Sequence, residues 1–143
     1  PLWTGLEASS PEGSPAIANG KIYVGEGSWD YSSSSYAGEL QAWVLPPPTT
    51  SVVIPSNGAT VSGTQLLDAF ASSGVTQVQF RVSGGPSNLS DQVVGTANKT
   101  LYGWLANWNT TAVSNGVYSL QSVASYGGEV SATSPPITVA VSN

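Results

Sequence analysis

Hydrophobic and polar residues alternate with a period of two along much of the chain, most clearly in the segment 77–82. There the apolar residues are Val78, Phe80 and Val82, and the polar ones are Gln77, Gln79 and Arg81. Successive side chains of a β-strand point to opposite faces, so this pattern predicts a strand with one face on a core. Ile137, Val139 and Val141 repeat the pattern near the end of the sequence.

Turn-forming residues divide the region after residue 50 into short apolar segments at the spacing typical of a β-sandwich. Strands are predicted at 51–54, 61–71, 75–82, 92–96, 101–108, 117–126, 129–131 and 137–141. No segment has the apolar period of a helix. The fold class predicted for this region is an all-β, antiparallel sandwich of about seven strands.

Parity along the predicted strands separates core positions from outward ones. Tyr102, Trp104, Ala106 and Trp108 share one face and are predicted in the core, together with Tyr118 and Leu120. If Leu67, Ala69 and Ala71 point inward, Leu66 and Phe70 flank Asp68 on the outer face. Leu66 and Phe70 are therefore candidates for contact with a neighbouring domain.

The first 45 residues predict a small antiparallel meander. Asn19-Gly20 separates two apolar runs, 14–18 and 21–25, and this dipeptide suits the two-residue turn of a hairpin. A third strand is predicted at 39–44 and a short one at Leu2-Trp3. The polar stretch 26–37 has no periodicity and predicts a loop, whose aromatic residues Trp29, Tyr31 and Tyr36 could form a platform for a sugar or a partner protein. The alternative is that they fold back over the meander.

Three consecutive prolines, Pro46 to Pro48, followed by Thr49-Thr50, favour a semi-rigid polyproline II spacer. The predicted organisation is therefore a meander at 1–45, a Pro-rich linker at 46–50 and a sandwich at 51–143.

Charged residues make up only 8% of the chain, and the net charge is −5. The only cations are Lys21, Arg81 and Lys99, whereas nucleic-acid binding requires clustered Lys and Arg. Nucleic acid and an anionic membrane surface are therefore unexpected partners. No apolar run approaches the roughly 18–20 residues of a membrane span, so no membrane insertion is expected.

The chain contains no His and no Cys, which removes the commonest general base and the soft metal ligands. The eight acids are scattered without a paired motif, so we expect no catalysis, cofactor or metal site. Glu26, Asp30 and Glu39 lie in or near the 26–37 loop and could converge on Ca²⁺, which requires about six to eight oxygen ligands. A solvated loop is the preferred interpretation.

The segment 51–143 resembles a bacterial immunoglobulin-like domain of the tandem surface-protein type. The resemblance rests on Ile54 to Thr64, Val78 to Val82, Trp108-Asn109-Thr110-Thr111, Asn115 to Leu120 and Ser134 to Val139. It implies an immunoglobulin-like sandwich that acts as a spacer, stalk or adhesion module without catalytic residues. Where relatives often have an Asp-containing turn, this sequence has Tyr126-Gly127-Gly128, so a calcium site at that turn is not expected.

The first 46 residues resemble one repeat of a quinoprotein-like (PQQ-type) β-propeller. The residues that carry this resemblance are Pro1 to Gly5, Ser14 to Gly25 and Gly38 to Trp43. A propeller blade has four antiparallel strands and completes its core against neighbouring blades. A single blade therefore implies upstream blades, a partner, or self-association of the chain.

These observations lead to three hypotheses. The first is a non-catalytic structural or adhesion module of a larger secreted or cell-surface propeller protein. The second is an accessory domain of a propeller enzyme, quinone-dependent or carbohydrate-active, whose active site lies outside this chain. The third is a filament or shell subunit that assembles through the incomplete blade. The expected partners are proteins, with carbohydrate as a further candidate.

Overall fold

The computed structural model describes residues 15–18, 21–44, 46–126 and 130–143, apart from some side chains within the strands. The chain divides into two compact units, Pro1–Pro46 and Pro47–Asn143. All regular structure in the described residues is β-strand, except for one 3-10 turn at Thr110–Ala112. Among these residues, no helix has the length and apolar character needed to cross a membrane.

The N-terminal unit contains a three-stranded antiparallel sheet. Its strands, in spatial order, are β1 (Ala16–Ala18), β2 (Lys21–Asp30) and β3 (Ser35–Val44). Ala18 lies opposite Lys21, which is the register of a tight hairpin between β1 and β2. The predicted Asn19-Gly20 turn and the Leu2-Trp3 strand lie outside the described residues.

The prediction of a loop at 26–37 was wrong. Residues up to Asp30 continue β2, residues from Ser35 belong to β3, and only Tyr31 to Ser34 form a turn. Once a hairpin has formed, each further cross-strand pair adds hydrogen bonds without closing a new loop, so polar residues can extend it. Trp and Tyr also favour strands, and Trp29 lies opposite Tyr36 in this extension.

The C-terminal unit contains two sheets that pack face to face. The strands are β4 (Thr50–Ile54), β5 (Ala59–Val61), β6 (Thr64–Ala71), β7 (Gln77–Gly84), β8 (Leu89–Thr96), β9 (Asn98–Lys99), β10 (Trp104–Asn109), β11 (Gly116–Tyr126), β12 (Val130–Thr133) and β13 (Ile137–Val141). The four-stranded sheet has the order β4-β6-β10-β9. The six-stranded sheet has the order β5-β13-β11-β7-β8, with β12 also paired to β11.

The single strand predicted at 61–71 is two strands in different sheets. β5 pairs in parallel with β13, whereas β6 pairs antiparallel with β4 and β10. Gly63 lies between them with φ +59°, a left-handed conformation that glycine adopts without steric cost. This turn carries the chain from one sheet to the other. The described sandwich has ten strands rather than about seven.

The core lies between the two sheets and confirms most of the predicted inward positions. The buried residues include Val78, Phe80 and Val82, Leu67 and Ala69, Trp104, Ala106 and Trp108, Tyr118 and Leu120, and Val139 and Val141. Tyr102 was wrongly placed in this core. It precedes β10 and is exposed, because the strand begins only at Trp104.

The start of the sandwich is anchored at the segment predicted as a linker. Pro48 is buried, and β4 already begins at Thr50. The backbone N–H of Thr49 donates to the Ser72 hydroxyl at 3.0 Å, and the Ser72 N–H donates to the Thr49 carbonyl at 3.0 Å. These bonds hold the segment in place before the first strand begins.

A hydrogen-bonded pair of hydroxyls joins the two sheets. The Thr50 hydroxyl on β4 donates to the Phe70 carbonyl at 2.9 Å and lies 2.8 Å from the Ser122 hydroxyl on β11. A hydroxyl has one proton, so Ser122 is the donor to Thr50. Ser122 is buried, and this bond satisfies its polar atom.

Candidate ligand-binding surface

A pocket of about 260 Å³ lies at the end of β6, beside the loop between β9 and β10. Its walls are the residues 69–71 and 99–104. We call it the 99–104 pocket. It lies wholly within the C-terminal unit.

One side chain, Thr100, fixes the shape of the loop that forms the outer wall. Its hydroxyl donates to the Gly103 carbonyl at 2.9 Å and accepts from the N–H groups of Tyr102 and Gly103 at 3.1 and 3.2 Å. The Thr100 N–H also donates to the Gly103 carbonyl at 2.8 Å. A short hydroxyl-bearing side chain that binds nearby backbone favours a turn over continued strand. The loop is therefore ordered by its own hydrogen bonds.

This ordered loop presents two large side chains to solvent. Leu101 is 99% exposed and Tyr102 is 88% exposed. Phe70, on the adjoining end of β6, is also exposed. The remaining aromatic residue of the pocket, Trp104, is buried, with the Lys99 ammonium 5.8 Å from its ring centroid. The pocket thus combines three aromatic rings with one cation.

Gly103 allows the loop to approach β6 closely. Its φ is +151°, and a Cβ at this position would overlap the carboxylate of Asp68. The Asp68 Oδ1 atom is buried and has no hydrogen-bond partner among the described residues. The close contact places the loop directly against the outer side of β6. A larger residue at position 103 would move the wall of the pocket.

Leu66 and Phe70 point outward, with the half-buried Asp68 between them, as the alternation predicted. Phe70 lines the 99–104 pocket, whereas Leu66 does not. Four residues of strand separate them by about 13 Å. The structure therefore places only Phe70 at the pocket, and a partner for either residue stays a prediction.

Trp29, Tyr31 and Tyr36 belong to the N-terminal unit and are not part of this pocket. Trp29 and Tyr36 are opposite positions of the β2–β3 ladder, and Tyr31 is exposed at the turn. The side chains of Trp29 and Tyr36 are outside the described residues. Whether these three residues bind a sugar or a protein stays a prediction.

The three acids considered for calcium are spread along the same hairpin. Glu26 lies opposite Glu39, and Asp30 lies opposite Ser35. Asp30 is four residues further along β2 than Glu26, a distance of about 13 Å in a strand. A strand thus separates acids that a loop could have brought together. Within the described part of the chain, no group of three or more His, Cys, Asp or Glu could hold a metal ion.

Sequence reasoning did not identify the pocket, because it assigned Tyr102 to the core by parity. The local signal was Thr100-Leu101-Tyr102-Gly103, in which a residue that favours turns and a glycine enclose two large apolar residues. A strand that ends before Leu101 would have left both side chains outside the core.

A family model described as a bacterial Ig domain matches residues 48–121, which are 74 of the 143 residues. No curated protein matches the chain.

Solved structures share the sandwich at low sequence identity. The endo-β-1,4-mannanase from Thermotoga petrophila is 17% identical over 68% of this chain, with a TM-score of 0.52. The fibronectin(III)-like modules of CbhA from Clostridium thermocellum are 20% identical over 65% of this chain and 94% of that chain, with a TM-score of 0.51. The match covers only 20% of the mannanase chain, so the similarity describes a module and not the whole protein. At these identities it describes the fold alone.

Proposed function

The chain belongs to the bacterial Ig domain family, and from this premise we propose that it is a non-catalytic structural and adhesion module of a secreted or cell-surface protein. The proposal rests on the burial of the inward-facing apolar side chains in the core of the sandwich. Both sheets direct their aromatic and aliphatic residues into one shared core, which leaves the outer faces and loops for contacts with partners.

The surface chemistry supports a role in contact rather than in bond making. Of the described charged residues of the C-terminal unit, Arg81 and Asp91 pair with each other, and Lys99 lies over Trp104. Three of the exposed apolar residues of this unit, Phe70, Leu101 and Tyr102, lie together at the 99–104 pocket. Large exposed apolar side chains are typical of interaction surfaces when they cluster.

A second candidate function is an accessory module of a carbohydrate-active enzyme. One structural neighbour is a module of such an enzyme, the endo-β-1,4-mannanase. The active site would then lie in a part of the parent protein outside this chain. The quinone-dependent propeller enzyme is the other version of this proposal, and it depends on the resemblance of the first 46 residues.

The propeller proposal draws its support from exposed apolar residues of the N-terminal sheet. Leu40 and Val44 lie on one face of β3 and Trp43 lies on the other, and all three are exposed. Val24, on the same face as Trp43, is buried, so the face that carries Leu40 and Val44 is the one that needs cover, as a propeller blade receives from its neighbours. The cover would come from upstream blades, from a surface partner, or from further copies of the chain in a filament or shell.

The absence of catalysis is tested by turnover. The purified chain is incubated with β-1,4-mannan, soluble cellulose derivatives, primary alcohols with an electron acceptor, and casein, and products are followed by reducing-sugar, dye-reduction and peptide assays. We expect no turnover above a heat-denatured control. Turnover that survives repeated purification and scales with the concentration of the chain would contradict the proposal.

The incomplete blade is tested separately by sedimentation velocity over a wide range of concentrations. We expect concentration-dependent association that is weakened by the double substitution Leu40→Ser/Val44→Ser. Val117→Ser, at an exposed valine of the sandwich, is the matched control and should leave association unchanged. A monomer at all concentrations, with its first 46 residues resistant to protease, would contradict the blade proposal while leaving the Ig domain intact.

A further inference from the structure

We infer that the 99–104 pocket is a binding site for one pyranose ring of a neutral polysaccharide. This inference goes beyond the structural role proposed above and does not depend on it. It rests on the ordered loop, the arrangement of exposed aromatic rings and the small number of charges at the pocket.

The first step concerns the exposed side chains of the loop 100–103. Burial of a large apolar side chain stabilises a fold, and this stabilisation is absent at Leu101 and Tyr102, which are almost fully exposed. The Thr100 bonds nevertheless hold both residues outward in one backbone conformation. A preordered loop loses little conformational freedom when a ligand binds, which favours affinity. The exposure of these side chains does not stabilise the fold, but it leaves them preordered for contact with a ligand.

The second step concerns the rings. Tyr102 and Phe70 are exposed aromatic residues of the pocket, and each has only two rotatable side-chain bonds. The face of an aromatic ring is negative, and the C–H groups on the face of a pyranose are weakly positive and apolar, so the two surfaces are complementary. Thr100 and Lys99 also line the pocket and supply its few polar groups. Aromatic walls with a few polar groups are the composition of a ligand pocket.

The third step concerns size. The pocket of about 260 Å³ is slightly below the range of about 300–1,000 Å³ that holds drug-sized ligands. It is open to solvent rather than enclosed, so a polymer can pass across it with one ring seated. A single seated ring gives weak binding, which suits a module that acts along a polymer with many sites.

The fourth step concerns charge. Lys99 is the only cation that lines the pocket, and the chain as a whole carries −5. An acidic polysaccharide would meet repulsion from the chain and only one cation in return. The chemistry therefore favours a neutral polymer.

The experiment is affinity electrophoresis of the full chain in native gels that contain galactomannan, hydroxyethyl cellulose or polygalacturonate. We expect retardation by at least one of the two neutral polymers. Tyr102→Ala and Phe70→Ala should each weaken this binding by about tenfold, which is the loss of one good aromatic contact. Val117→Ala is the matched control, because Val117 is also an exposed apolar residue of the C-terminal unit but does not line the pocket. It should retain wild-type retardation.

Thermal unfolding of each variant shows whether it is still folded. Tyr102→Phe should keep most of the binding because the aromatic ring remains. Three results overturn the inference: no retardation by either neutral polymer, retardation by polygalacturonate alone, or equal losses for Val117→Ala and Tyr102→Ala. Self-association that is abolished by Tyr102→Ala, without polymer binding, would assign the surface to a second copy instead and also overturn it. None of these results alters the turnover test of the structural role.

Discussion

The rings of Trp108 and Tyr118 meet edge to face across the sandwich, with their centroids 6.5 Å apart and their planes at 87°. Trp108 lies on β10 of the four-stranded sheet, and Tyr118 lies on β11 of the six-stranded sheet. Both rings are buried. The Tyr118 hydroxyl donates to the Ser114 carbonyl at 2.7 Å, which satisfies its polar atom. This pair is therefore a central contact between the two sheets.

Trp108→Ala should lower the free energy of unfolding by about 3–5 kcal/mol, because it removes a large buried side chain and leaves a cavity. Tyr118→Phe keeps the ring contact and removes only the bond to Ser114, so it should cost about 0.5–1.5 kcal/mol. Urea unfolding followed by circular dichroism measures both. A loss for Trp108→Ala no larger than that for Tyr118→Phe would show that the ring contact is not central.

The core of the sandwich could be predicted because it follows a local rule. Val78, Phe80 and Val82 are buried, as a period of two requires, and Leu66 and Phe70 point outward for the same reason. Each assignment needs only the parity of a residue within a strand whose position is known. The all-β class followed from the same signal, whereas the prediction of a wholly antiparallel sandwich was wrong, because β5 and β13 pair in parallel.

The positions of strand ends could not be predicted in this way. Tyr102 has the parity of Trp104, but the Thr100 hydroxyl binds the backbone of the next residues and stops the strand from including it. The β2–β3 hairpin extends through polar residues because each strand supplies the partner of the other, which hydrophobic pattern does not encode. The 99–104 pocket depends on such an end, so it appeared only with the structure.

Gly85 and Gly58 provide a second prediction, because both have positive φ but different surroundings. Gly85 has φ +70°, and a Cβ there would overlap the ring of Tyr118, whereas Gly58 has φ +82° and nothing within 4 Å. Gly58→Ala should cost about 1–2 kcal/mol from the left-handed conformation alone. Gly85→Ala should cost about 1–3 kcal/mol more, because the ring must move. Urea unfolding of the two variants makes the comparison, and equal losses would contradict the role of Tyr118.

The buried hydroxyl of Thr110 provides a third prediction. It lies 2.9 Å from the Gly63 carbonyl and 2.7 Å from Asn143 Oδ1, at the turn where the chain changes sheets. Thr110→Val keeps the shape and removes the hydroxyl, so it should lower stability by about 1–2 kcal/mol. Thr111→Val removes an exposed hydroxyl bonded to Asn109 and should cost less than about 0.5 kcal/mol. Thermal unfolding distinguishes them, and a larger loss at position 111 would refute the assignment.

The ion pair between Arg81 and Asp91 provides the fourth prediction, and it concerns salt. The side chains are 29% and 62% exposed, so water and ions screen their attraction. Asp91 has φ +51°, a conformation that Asn also tolerates, so Asp91→Asn removes the charge with little change to the backbone. We expect a loss below about 1 kcal/mol at low salt that disappears near 1 M NaCl, where the screening length is about 3 Å. Urea unfolding at both salt concentrations measures it. A loss above about 2 kcal/mol that persists at high salt would mean that the pair is shielded from solvent, contrary to its exposure.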